Sequence, residues 1–423
     1  MPGVTGRTYL DHASTSPLRS EARAALVAAL DATGDPGRIH AEGLAARVTV
    51  EQARQHVADL LGARPREVVF TSGATEAIAA ACWGAAARGR HQVVPAVEHS
   101  AVRQSAARHG DVTVVPVDGA GRVDVDDLLT AVRDDTALVH LQWGNHEVGT
   151  VQPVAEAVAA CRERGVLVHV DAAQAAGRVP IGFRDLGADL LSISAHKLGG
   201  PGGAGALLVR QGLRLRPLLV GGDQERARRA GLENVAAVAG FGATCAALAA
   251  DGGAVAEAEA AAQRRSPDRI LAAVGTDPGL AGLRVYGDPD ARLPHIVCLG
   301  VEGIEPQAVL LGLDRAGVAA HSGSACSSES LEPSPVLEAM GVDAHHSLRL
   351  SVGWSTTDAD VDRLLDTLPR VLADLRALAA TAGGRPADPG VGETARSRSV
   401  PADTSAGAGG APPGWVGGPA GLA

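Results

Sequence analysis

The sequence predicts an α/β fold: a large domain on a mostly parallel seven-stranded sheet, followed by a smaller α+β domain. Three observations predict it. From about residue 15 to 250, short apolar runs alternate with helical periodicity, the pattern of parallel strands joined by crossover helices. After an alanine-rich helix at Ala254–Arg265 the alternation gives way to a mixed pattern. Hydrophobic residues make up 46% of the 423 residues but aromatics only 2%, so the core must be aliphatic.

In chain order, the strand candidates of the large domain are Val68–Thr71, Val93–Ala96, Val112–Val117, Ala137–Gln142, Val166–Val170, Leu190–Ser194 and Ala204–Val209. Helical segments such as Val154–Glu163 lie between most of them, and the domain spans 15–255. The smaller domain takes residues 1–14 and 256–380. Its strands are expected at Leu283–Tyr286, His295–Leu299 and Ser347–Val352, with helices at Pro306–Ala316 and Asp358–Ala379. Residues 381–423 are crowded with Gly, Pro, Ala and Ser. Such a composition buries too little apolar surface to fold, so a disordered tail is expected.

Composition narrows the function. A net charge of −10 argues against a nucleic-acid or membrane surface as partner. No apolar run reaches the roughly 18 residues of a membrane span, and residues 1–7 lack a signal peptide's apolar stretch. A cytoplasmic location is therefore expected. Five cysteines, odd in number and without a CxxC pair, argue against a disulfide framework or a metal site. Cys82, Cys161, Cys245 and Cys298 lie in apolar surroundings and read as buried thiols. Cys326 lies instead in the small, polar stretch His321-Ser322-Gly323-Ser324-Ala325-Cys326-Ser327-Ser328, which suits an exposed thiol.

The chain has 38 Lys and Arg residues, and Lys197 is its one lysine. A guanidinium cannot lose its proton to become a nucleophile; an ammonium can. A composition that has replaced every other lysine points to a task arginine cannot perform, such as an imine with a carbonyl compound like pyridoxal phosphate (PLP). Survival through biased codon usage is the plain alternative. Lys197 follows Ser194-Ala195-His196 at a strand end. Another strand, Val166–Val170, ends in Asp171, a carboxylate able to keep a pyridinium nitrogen protonated or merely to cap a helix. In such sheets ligands sit beyond the carboxyl ends of the strands. Thr71-Ser72-Gly73-Ala74-Thr75-Glu76 opens a helix after a strand, which suits a phosphate. His99 follows a further strand, where an imidazole could stack on a ring.

With these residues in order, the chain resembles the cysteine desulfurases, class V aminotransferases of PLP fold type I. The matching blocks are Phe70–Glu76, Glu98-His99, Asn145-His146-Glu147-Val148-Gly149, His169–Gln174, Ser194–Lys197 and Ser322–Ser328. The likeness runs from about Tyr9 to Leu378. It implies that Lys197 holds PLP as an imine, Asp171 pairs with the pyridinium nitrogen and Gln174 with the ring hydroxyl. His99 would stack on the ring and shuttle protons. Ala74, Thr75, Ser194 and His196 would hold the phosphate. Asn145 would position cofactor or substrate, and Arg349 would clamp the substrate carboxylate. Cys326 would take sulfur from L-cysteine as a persulfide, leaving L-alanine, and pass it to a sulfur-acceptor protein. Its long loop, running on through Glu332-Pro333-Ser334, resembles the group with a flexible cysteine loop. A homodimer is also implied. Iron–sulfur cluster assembly, tRNA thiolation, DNA sulfur modification and cofactor or natural-product sulfuration are all open as destinations.

The resemblance breaks in the stretch Gly221–Asn234. Asp223 stands where a third glycine is usual. Leu232 stands where a threonine usually reaches the phosphate in the neighbouring subunit, and leucine cannot donate that bond. Asp35 replaces a usual asparagine. Three other readings compete with desulfuration: selenocysteine lyase, another class V PLP lyase or aminotransferase, and a low-activity sulfur-trafficking partner with the PLP fold.

Overall fold

The computed structural model describes residues 6–322 and 333–383. Its strands, in chain order, are β1 (Thr8–Tyr9), β2 (Val68–Thr71), β3 (His91–Pro95), β4 (Asp111–Val115), β5 (Thr136–Gln142), β6 (Val168–Asp171), β7 (Leu190–Ser194), β8 (Gly205–Val209), β9 (Leu283–Tyr286), β10 (Ile296–Val301), β11 (Val318–Ala319) and β12 (Ser347–Ser351). Every predicted strand is present, with ends displaced by no more than a couple of residues.

Seven strands form one sheet in the order β2-β8-β7-β6-β5-β3-β4. All point the same way except β8, which is antiparallel to both neighbours. The reason is connection length. Between Ser194 and Gly205 there is no room for a crossover helix, so the chain turns back on itself. Strands covered on both faces read as continuous apolar runs, and β5 to β8 are buried almost throughout. A smaller antiparallel sheet runs β12-β10-β9, and β1 pairs with β11.

The described residues as far as Ala379 pack as one compact unit. It contains two main apolar clusters. One surrounds the large sheet, with Phe70, Val139, Val170, Leu191, Ile193 and Phe241. The other lies against the small sheet and joins Leu10 to Ile270, Leu299, Leu348 and Leu364. Both are almost wholly aliphatic, as composition required. Part of the chain between Val235 and Thr276 has the length and hydropathy of a membrane span. It is interrupted between Ala249 and Ala254, and Phe241, Cys245 and Leu248 are buried in the main core. The last helix continues to Gly383. The predicted tail from 384 onward lies outside the described residues.

Candidate active site

The carboxyl ends of the large sheet's parallel strands open into a cavity of about 430 Å³, within the range of about 300–1,000 Å³ typical of small-molecule sites. Residues from four separate predicted blocks line it: Ala74 and Thr75, His99, Asp171 with Gln174, and Ser194, His196 and Lys197; Arg349 joins them from β12. Cys326 lies outside the described residues.

Lys197 stands on a 3-10 turn, Ala195–Leu198, directly after β7. The turn stops at Gly199, whose φ of +85° favours glycine and whose Cβ would meet Arg19 and Trp354 at 2.8 Å. Arg178 and Ser16 both donate to the Lys197 carbonyl, at 2.7 and 3.1 Å, which fixes the backbone beneath the side chain. Burial lowers the ammonium's pKa to about 8, against the opposing pull of Asp171. That leaves roughly a tenth of the amine neutral at pH 7, far more than an ordinary lysine offers, as a nucleophilic lysine needs.

Asp171 ends β6 in register with Ser192 on β7. Its Oδ1 accepts from the Ala173 backbone N–H at 3.0 Å and from the Ser192 hydroxyl at 3.3 Å. Also lining the cavity, the helix Ala74–Ala85 begins after Gly73 with no side-chain cap, so its first backbone N–H groups are available to an anion. A Cβ on Gly205 would stand 2.6 Å from the Gly73 Cα; glycine there lets the anion-binding turn lie directly on β8.

His99 caps the helix Ser100–His109, its Nδ1 accepting from the Ala101 N–H at 3.1 Å. That bond assigns the neutral ring's proton to Nε2. Burial, reinforced by His146 and Lys197, drives its pKa down to about 3. Gln174 donates to the Ala13 carbonyl at 2.8 Å and faces His295 Nε2 at 3.1 Å. One amide hydrogen is left for a ligand.

Asn145 does not line the cavity. Its side chain holds the adjoining turn, accepting from the Glu147 and Val148 N–H groups at 2.8 and 2.9 Å and donating to the Val97 carbonyl at 3.1 Å. The residue that faces inward is His146, one position on. Its ring meets that of His99 edge-on at 4.9 Å, and its buried Nδ1 has no partner. An asparagine four residues before Gly149, which has φ +79°, is a turn signature, and that signal could have assigned Asn145 to the backbone and His146 to the site. Glu98, part of a matching block, is a second residue to which the sequence assigned no role. Burial raises its carboxyl to about 8, so it is protonated at neutral pH beside His99.

Arg349 is fully buried. It donates to the His146 carbonyl (2.9 Å), to Asp11 (2.9 Å) and to Ser14 (2.8 Å), while its Nε has no partner. The 221–234 stretch touches the cavity's rim through Arg229, which pairs with Glu76 at 2.9 Å. Leu232 is 62% exposed.

A helix N-terminus with hydroxyls, a carboxylate and a lysine of lowered pKa lining one cavity define the site of a class V aminotransferase fold. The chain belongs to that family: the aminotransferase class-V model matches residues 8–364. A cysteine desulfurase of Cereibacter sphaeroides is 42% identical over 386 residues, covering 88% of this chain and 97% of its own length. Among solved structures, a NifS-like protein is 29% identical with a TM-score of 0.79 over 87% of this chain and 100% of its own. One described as SspA in complex with cysteine is 28% identical with a TM-score of 0.70, over 82% and 99%. The family is PLP-dependent, and the donor set here fits that cofactor from phosphate to ring nitrogen.

Proposed function

We propose that this chain is a PLP-dependent cysteine desulfurase that moves the sulfur of L-cysteine onto Cys326. The observation that carries the reading is the convergence of Lys197, Asp171, His99 and Arg349 on one cavity, in a chain 42% identical to a cysteine desulfurase. Bound PLP supplies an electron sink for bonds next to the substrate's amino group. Lys197 would anchor it, Asp171 would hold its ring nitrogen, and Ala74, Thr75, Ser194 and His196 would hold its phosphate. His99, with its proton on Nε2, is the group to exchange protons at the reacting carbons. Arg349 supplies the buried positive charge that orients the substrate carboxylate.

Sulfur transfer balances without an oxidant: the cysteine C–S bond breaks, an S–S bond forms to the Cys326 thiolate, and protons complete alanine. Both flanks of the Cys326 segment are tied to the cavity, which supports its role. His321 pairs through its backbone with Arg349, and the Ser334 hydroxyl donates to Glu147, beside His146, at 2.5 Å. Cys326 is four residues from Ser322, a reach of roughly 13 Å when extended. A second copy of the chain covering exposed Ile39, Val220 and Leu232 is the assembly we favour, in the cytoplasm, with a sulfur-carrier protein as acceptor. Purified protein given PLP, L-cysteine and a reductant should release alanine and sulfide in equal amounts, and Cys326→Ser should release neither. Alanine formation undiminished in Cys326→Ser would exclude the persulfide route, and PLP binding without any alanine would exclude desulfuration.

A further inference from the structure

Behind Asp171 the sheet buries a file of polar side chains that the proposed reaction does not use. His140 on β5 and His169 on β6 are register partners, and their Nδ1 atoms are 3.0 Å apart. His169 Nε2 lies 3.1 Å from the Ser192 hydroxyl, which lies 3.3 Å from Asp171 Oδ1. At the far end, His140 Nε2 lies 2.8 Å from the Gln92 amide and 3.7 Å from the Cys82 thiol. Both histidines and Ser192 are 0% exposed.

The direction of hydrogen bonding through this file follows from counting hydrogens. An Nδ1···Nδ1 contact holds one hydrogen, so one ring donates and the other accepts. Ser192 has a single hydroxyl hydrogen. If it went to His169, the serine oxygen would face the Asp171 carboxylate lone pair to lone pair, in a buried site. If His169 Nε2–H instead donates to Ser192, the serine hydrogen is free for Asp171. His169 Nδ1 must then accept from His140 Nδ1–H, and His140 Nε2 must accept in turn. Two donors are in place for it. One is the Cys82 thiol, kept protonated because burial raises its pKa to about 12. The other is the Gln92 amide NH2, which has no partner on the side away from His140 and reaches His140 when the amide is turned. Only this direction avoids two lone pairs or two hydrogens meeting anywhere between His140 and Asp171; one Gln92 amide atom is without a partner in either orientation. Both rings are neutral, since burial pushes the His169 pKa to about 3 and His140 well below its ordinary value.

We infer that Cys82 or Gln92, His140, His169 and Ser192 form a one-way hydrogen-bond relay that donates into Asp171 from the side away from the cavity. They are positioning residues: they act on the ring nitrogen's partner without touching a ligand. The relay is a property of the protein alone; its effect on cofactor retention rests on the PLP reading.

Nitrogen-15 NMR of histidine tautomers in cofactor-free protein tests it directly. The expected result is hydrogen on Nε2 of His169 and on Nδ1 of His140, and the reverse pair would overturn the relay whether or not PLP binds. In cofactor-loaded protein, Ser192→Ala should raise the PLP dissociation constant about tenfold and erase the His169 tautomer preference, while Ser192→Thr restores both. Equal PLP affinity in Ser192→Ala and the parent would also overturn it. Failure of the parent to bind PLP would count against the cofactor reading and leave the tautomer result standing.

Discussion

Behind Asp171, strands β5, β6 and β7 bury His140, His169 and Ser192 with every side-chain polar atom partnered. The 221–234 stretch is built differently. Much of it is exposed, and Glu225, Arg226 and Ala227 all have φ between +49° and +60°, a conformation that costs non-glycine residues about 1–2 kcal/mol each. Arg229 ties it to Glu76 and Arg226 to Glu51, but its most deeply buried tie is one ion pair. Arg54 grips Glu225 with two bonds of 2.6 and 2.7 Å, and the Phe70 N–H donates to the same carboxylate at 2.9 Å. One region is held by a chain of buried hydrogen bonds between neighbouring strands; the other is strained and held by ion pairs, of which Arg54–Glu225 is the most buried.

That contrast can be broken most forcefully with acid. His12, His146 and His169 are buried with pKa values near 3, and His140 and His295 also lie well below the ordinary value. Unfolded imidazoles titrate near 6.5, so below that pH the unfolded chain binds more protons and stability falls as pH falls. Five such groups at about 1.4 kcal/mol per pH unit give an upper limit of roughly 7 kcal/mol per unit. Urea midpoints at pH 7 and 5.5 measure it; equal midpoints would refute neutral burial of these rings.

Removing the anchor comes next. Glu225→Gln leaves the buried Arg54 charge only its half-exposed partner Glu51, at 3.1 Å, and should cost up to about 3–5 kcal/mol, whereas the pair Arg54→Met with Glu225→Met should recover much of that in denaturant titrations. Capture of PLP by cofactor-free protein should be a smaller effect. Only neutral Lys197 attacks, so the rate should rise with pH and level off above about 8, falling about tenfold per unit below it. Stopped-flow absorbance would show this, and a flat profile would contradict an amine of lowered pKa. The smallest change tests strain itself. Ala227→Gly should stabilise the fold by about 0.5–1 kcal/mol, the relief of the left-handed conformation less glycine's greater unfolded-state entropy. A loss of stability would mean the turn is not strained at that residue.

Much of this was legible in the sequence. The seven strands stood out because two-sided burial demands unbroken apolar runs, and Lys197 because one lysine among 38 basic residues has few ordinary explanations. The short Ser194–Gly205 connection could have given the reversal of β8, by length alone. Asn145 and His146 were harder. They are adjacent polar residues in one loop, and which of them faces the cavity depends on backbone hydrogen bonds to Val97 and Glu147.

The sequence by itself determined the strands, the helix start that receives an anion, and the strand ends bearing Asp171 and Lys197, because apolar periodicity and chain order are local and survive without coordinates. The tertiary structure alone decided that Gln92, His140, His169 and Ser192, from four different strands, meet in one file, and that Arg54 reaches Glu225 across 171 positions. Those contacts depend on the order and register of strands far apart in the chain, which no local pattern carries.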